Sequence, residues 1–243
     1  MTVYENNKIV RSVETEVVLV DFKEYSCLSF DNQVASVIIA SGELEKFLNI
    51  SSTQSACSVD EVVAGFVPTG DGFYIVLQPN IVGYGLILGL SVRSILLNYP
   101  KGDKDILRGI RTAVHRGAVA EIVDITNRNN YIGPVMNDCA RLFQVECAKA
   151  PVGFLPDDNY VFCSKTAFEA FSKVFNYADE KCYFRQMGLL RTEWMNLTDK
   201  HNNVHVGAFV ELNRKVWFNP PRPADFDTRI KEQIKMILAA KSQ

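Results

Sequence analysis

Residues 16–26, EVVLVDFKEYS, set four consecutive apolar residues, Val17, Val18, Leu19 and Val20, directly before Asp21. A run that is apolar at both alternations suits a central strand covered on both faces, and this one delivers a carboxylate at its C-terminal end. The chain beyond it leads into residues 31–50, whose apolar spacing is helical. N–H groups at such a helix start, those of Tyr25 and Ser26 included, are placed to hold phosphate oxygens.

A second carboxylate is needed before Asp21 suggests a metal. Residues 67–73, VPTGDGF, stand between the apolar runs 59–67 and 72–78 and read as a hairpin turn, with the Asp71-Gly72 pair supplying positive φ. Alone, that pair is turn chemistry, and Thr69 is a turn residue. Together with Asp21, Asp71 gives a donor set of oxygens only. Magnesium prefers such a set and completes it with water and substrate phosphate.

The 243 residues are 47% hydrophobic and 22% charged, enough for a sizeable core in one globular domain spanning 1–243. A net charge of −2 offers no general attraction for nucleic acid or an anionic membrane. Six cysteines without a C-x-x-C pair and three scattered histidines argue against zinc and for a reduced, cytoplasmic protein. The polar start lacks the apolar centre of a secretion signal. Residues 81–97 are apolar but interrupted by Arg93, and read as a buried helix rather than a membrane span.

Further along, residues 107–124 read as a strand with a bend or bulge at its central glycine, and 127–134, NRNNYIGP, as a loop. Residues 135–150 have helical spacing, with Val135, Cys139 and Leu142 on one face and Asn137 and Arg141 four apart on another. An amide and a guanidinium so placed can orient a sugar and stabilise migrating negative charge, although N-x-x-x-R is also a common solvated face. Strands at 159–164 and 204–212, a helix at 165–175 and an amphipathic C-terminal helix near 222–241 complete an α/β or α+β class.

In order along the chain, VVLVDFKEYSCLSF, TGDGFYIVL, IRTAVHRGAV and YIGPVMNDCARL resemble the motif series of class III nucleotidyl cyclases, the catalytic fold of adenylate and guanylate cyclases, over about residues 15–215. The resemblance implies a ferredoxin-like α+β sandwich with a central, mostly antiparallel sheet flanked by helices. It also implies two magnesium or manganese ions held by Asp21, Asp71 and the Phe22 carbonyl. One ion would activate the ribose 3′-hydroxyl for attack on the α-phosphorus and the other would grip the triphosphate. Asn137 and Arg141 map onto the family's transition-state pair, which reaches the site from a partner subunit, so a homodimer with two sites is implied. Lys200 maps onto the triphosphate lysine, with Arg191, Arg214 and Lys215 nearby. His115 and Cys139 are read as core residues.

The base-reading positions depart from the family's purine readers. Where adenylate cyclases carry lysine and guanylate cyclases glutamate stands Val67, and the second reader is Asn130, with Tyr131 in its place should the alignment slip by one. Valine reads neither purine, and an asparagine amide suits uracil or cytosine. In this the chain resembles the pyrimidine cyclases of bacterial Pycsar anti-phage defence, which implies cyclic UMP ahead of cyclic CMP as product and a separate effector that senses it. The alternatives are an adenylate cyclase, an inactive nucleotide-binding module, and a two-carboxylate phosphatase or polymerase palm.

Overall fold

The structure, a computed structural model, describes residues 9–55, 58–97, 109–143, 160–198 and 202–212. Strand β1 (Ile9–Phe22) lies in the middle of a mixed sheet, antiparallel to β3 (Gly72–Leu77) on one side and to β4 (Ile110–Val123) on the other. The sheet order continues outward from β3 to β2 (Val63–Pro68), and from β4 through β6 (Tyr160–Ser164) and β9 (Val204–Leu212) to β7 (Leu189–Arg191). Only the β4–β6 pairing is parallel among the described strands. Two short strands branch off, β5 (Asn129–Ile132) beside β4 and β8 (Met195–Thr198) beside β9. This is the expected α/β class, a central and mostly antiparallel sheet with helices on both faces.

Alternation along β1 divides the core between those faces. Val18, Val20 and Phe22 pack beneath α1 (Phe30–Ser55), α3 (Gly85–Leu97) and α5 (Lys165–Val174), where Leu44, Leu88 and Phe171 are buried. Val17 and Leu19 turn to the opposite face and meet α4 (Pro134–Leu142) through Val135, Met136, Cys139 and Leu142. The predicted buried helix is α3, whose Arg93 is 1% exposed and donates to the Ile110 carbonyl. No described helix is long and apolar enough to cross a membrane.

Four local expectations change. Residues 59–62 form a helical turn, α2 (Val59–Val62), because Ser58 and Glu61 make a reciprocal capping box. The turn at 69–71 has no positive-φ glycine, so it is closed by the Thr69 N–H donating to the Gly72 carbonyl at 2.8 Å rather than by a left-handed residue. Gly117 sits in unbroken register opposite Thr15, with neither bend nor bulge. Residues 129–132, read as loop, pair with β4 as β5. The short helix α6 (Tyr183–Gln186) and strands β7 and β8 had no counterpart in the sequence reading. The expected C-terminal helix near 222–241 lies outside the described residues.

Candidate functional site

Asp21 ends β1 on the α4 side of the sheet, and the strand pairing places it opposite Gly72 on β3 and opposite Arg111 on β4. Asp71 precedes Gly72 in the turn, and its carbonyl accepts the Phe22 N–H at 2.8 Å. The turn is thereby tied to the residue after Asp21, and the two carboxylates stand at adjacent strand ends. They differ in setting. Asp21 is 8% exposed, whereas Asp71 faces solvent with Oδ1 3.4 Å from the Thr69 hydroxyl.

A buried carboxylate needs a partner. Arg111 supplies it, with Nη2 and Nε at 2.5 and 2.7 Å from Asp21 Oδ2, and the Phe143 ring lies 5.0 Å from the guanidinium. Sequence reasoning missed Arg111. The signal was available in the alternation of IRTAVH, which sets Arg111, Ala113 and His115 on one face of a strand antiparallel to β1. Tyr74 was missed as well. Burial, then the Cys139 thiol and the carboxylates of Asp21 and Asp71, push its hydroxyl up to about 12, so it stays protonated and donates to the Met136 carbonyl at 3.2 Å.

No three His, Cys, Asp or Glu side chains gather as a metal cage among the described residues. The two carboxylates at adjacent strand ends and the main-chain carbonyl of Phe22 offer oxygen donors only, a chemistry that would suit a hard divalent cation completed by water and phosphate. Beyond Phe22 the chain turns at Glu24, φ 56°, into a single 3-10 turn (Tyr25–Cys27). The Tyr25 hydroxyl donates to the Gln33 carbonyl at 3.2 Å and its ring stacks on Phe22 at 6.1 Å, so the side chain braces α1. The N–H groups of Tyr25 and Ser26 open that turn and have no acceptor within it.

Helix α4 starts where Gly133, φ 151°, and Pro134 break β5 from it; a side chain on Gly133 would press on the Ala118 carbonyl at 2.8 Å. Its inner face buries Cys139, whose thiol burial pushes up and the Val17 and Ala113 carbonyls accept, so this cysteine is a core residue as read. Asn137 is exposed on the outer face, and Arg141 is 28% exposed with Nη1 donating to Asp138 Oδ1 at 2.9 Å. Arg141 lines a cavity of about 690 Å³ with His115, Asp138, Lys165 and His205, a set that includes neither Asp21 nor Asp71. His115, read as a packed residue, is 17% exposed at this cavity and its Nδ1 has no hydrogen-bond partner among the described residues.

Val67 pairs with Tyr74 and packs into the cluster of Val17, Val119, Tyr131 and Val135. Tyr131 is the β5 residue that lies beside it, with its hydroxyl on the Ala64 carbonyl at 2.7 Å. Asn130 stands outside that cluster and its Oδ1 accepts the Tyr131 N–H at 2.8 Å. Arg191 is stacked on Trp194, 4.1 Å from the ring, and on Phe168 in the core of the other face. Lys200, Arg214 and Lys215 lie outside the described residues.

No family model matches the chain, and no curated protein does. Solved structures match. The guanylate cyclase domain of RhGC from Catenaria anguillulae, in complex with GTP, superposes with a TM-score of 0.53 at 13% identity, over 84% of this chain and 100% of that one. The catalytic core of a rhodopsin-guanylyl cyclase with converted specificity, in complex with ATPαS, gives a TM-score of 0.52 at 13% identity and the same coverage. A monomeric double mutant of the guanylyl cyclase domain of the RhoGC fusion protein from Blastocladiella emersonii gives 0.51 at 11% identity, over 85% and 99%. The fold is that of class III adenylate/guanylate cyclase catalytic domains.

Proposed function

We propose that the chain is a nucleotidyl cyclase that converts a pyrimidine nucleoside triphosphate, UTP ahead of CTP, into its 3′,5′-cyclic nucleotide and pyrophosphate. The observation that carries the reading is the pairing of Asp21 with Gly72, which sets Asp71 beside Asp21 at adjacent strand ends of a cyclase fold. Asp21, Asp71 and the Phe22 carbonyl would hold two magnesium or manganese ions. Such ions supply charge for the triphosphate and acidify the 3′-hydroxyl when bound. The N–H groups of Tyr25 and Ser26, and Lys200, are assigned to the triphosphate.

Asn137 orients the ribose and Arg141 meets the charge that develops at the α-phosphorus. Arg141 lines a cavity to which neither aspartate contributes, and the reading assigns it to the partner's site in a homodimer whose subunits complete one another's sites. Val67, apolar and packed, presents nothing that reads a purine. The Asn130 oxygen accepts the Tyr131 N–H, and the reading assigns its amide donors to the base. A donor meets O4 of uracil, where cytosine presents a donor of its own. The proposed setting is a cytoplasmic second-messenger synthase of anti-phage defence whose product a separate effector reads.

The test is incubation of the purified chain with ATP, GTP, CTP and UTP in magnesium or manganese, with products identified by mass spectrometry. Cyclic UMP as the main product is the expected result. Cyclic AMP as the main product refutes the pyrimidine assignment, and no cyclic product from any of the four refutes the cyclase reading.

A further inference from the structure

Asp138 follows Asn137 and precedes Arg141 by three residues, so helical spacing sets its carboxylate beside the guanidinium. Arg141 Nη1 donates to Asp138 Oδ1 at 2.9 Å. Two imidazoles from other elements bracket the same carboxylate: His115 of β4, with Nε2 3.8 Å from Oδ2, and His205 of β9, with Nδ1 3.9 Å from Oδ1. The four side chains are 12 to 28% exposed and line one wall of the 690 Å³ cavity. Lys165 and Glu169 of α5, 3.8 Å apart, stand at its rim. Neither imidazole is within hydrogen-bond reach of Asp138, so the guanidinium is the close partner among these groups.

A long guanidinium side chain samples many rotamers, and a charge-assisted hydrogen bond to a half-buried carboxylate removes most of them. A donor of the planar group is then committed to Asp138 and the guanidinium acquires a direction. We propose that Asp138 is the positioning residue for Arg141: it fixes the direction in which the guanidinium leaves α4 to meet the reacting phosphoryl group of the partner subunit's substrate. The inference rests on the cyclase reading and deepens it, because Asp138 itself touches no substrate.

The full-length chain is tested as wild type, Asp138→Ala, Asp138→Asn, Arg141→Ala and the double variant Asp138→Ala/Arg141→Ala, with kcat and KM measured separately on the nucleotide that the wild type cyclises. Displacing a positioned group costs about tenfold to 100-fold. The expected result is that loss in kcat for Asp138→Ala, with KM within about twofold because ground-state binding is untouched. Asp138→Asn keeps an acceptor oxygen of the same shape and recovers part of the loss. The double variant is no slower than Arg141→Ala alone, since a positioning residue has nothing left to position. A carboxylate that only stabilises the fold would lower Tm in both backgrounds and slow the double variant further, and that overturns the proposal. Unchanged kcat in Asp138→Ala overturns it also, as does raised kcat, which would make the contact a restraint on Arg141. A wild type without cyclic product sinks the cyclase reading and the proposal with it, whereas an active wild type with an indifferent Asp138→Ala sinks the proposal alone.

Discussion

Gly72 is where fold and proposed chemistry depend on the same few atoms. A Cβ on Gly72 would overlap the Val20 carbonyl oxygen, with Asp21 Cα and the Val20 carbonyl carbon each 3.0 Å away. All three are backbone atoms of β1, so no side chain can swing aside. The overlap is relieved only if β3 retreats from β1 by about 1 Å at the pair that aligns the two carboxylates, a displacement that typically costs about 100-fold in turnover. The same retreat loosens the Phe22 N–H to Asp71 carbonyl bond, 2.8 Å at present. Overpacking of this kind costs about 1–3 kcal/mol, and at about 2–4 °C per kcal/mol for a chain of this size Tm falls by about 2–12 °C. Gly70, two residues earlier, is the control, because a Cβ there meets no described residue within 4 Å. Thermal unfolding and cyclic-nucleotide production would be followed for Gly72→Ala and Gly70→Ala together. A Gly72→Ala protein with wild-type Tm and turnover refutes the claim that this close approach sets the site.

Asp71→Ala removes an exposed carboxylate from a turn held by main-chain bonds, so turnover should disappear while Tm stays within a few degrees; undiminished turnover removes Asp71 from the metal set. Glu16 is buried with its two oxygens accepting the Gly83 and Gly85 N–H groups at 2.6 and 2.7 Å, and Glu16→Gln turns an amide donor onto one of them, for an expected loss of about 1–3 kcal/mol at neutral pH by denaturant titration. Burial raises the Glu16 carboxyl above its ordinary 4.5, against the pull of those N–H groups and of Arg116. The stability this contributes is therefore full below the unfolded value and is lost as pH rises through the raised one, a step that the glutamine variant should lack. Burial lowers the His115 imidazole below 6.5 although Asp138 pulls it back up, so its contribution is present above 6.5 and lost as pH falls towards the lower folded value. His115→Asn should flatten that loss as pH falls below about 6.5, and an unchanged profile would assign it to another group.

The elements legible in the sequence are those whose pattern is local. Strand β1 announces itself by apolar, mostly β-branched residues at both alternations, and α4 by Val135, Cys139 and Leu142 on one face. The hairpin was legible too, but for a different reason from the one that operates: Gly72 is required by the space beside Val20, not by its φ. Strand β5 was hidden because NRNNYIGP is rich in loop formers, and only its pairing with residues 120–123 of β4 makes Asn129–Ile132 a strand. Helix α2 carried its own signature in the Ser58 and Glu61 spacing.

The site residues missed share one property, which is that their meaning lies in a partner far along the chain. Arg111 looks like an ordinary strand arginine until β1 and β4 are paired, when it falls opposite Asp21, ninety residues away. His205 and His115 look like isolated histidines until β9 and β4 bring both to Asp138. By contrast Asp21, Asp71, Asn137 and Arg141 are singled out by local pattern: a carboxylate at a strand end, an Asp-Gly turn and an N-x-x-x-R helix face. The two groups of residues therefore divide by role as well as by legibility. Those singled out by local pattern are the ones proposed for ions and substrate, and those whose partners only the fold reveals are placed to hold them: Arg111 offsets the charge of Asp21 and Tyr74 ties the carboxylate end of the sheet to α4, while Asp138 is the one support whose partner, Arg141, is a helical neighbour. A chain that kept the motifs and lost these supports would still read as a cyclase and would turn over poorly, because a group 1 Å out of place costs about 100-fold.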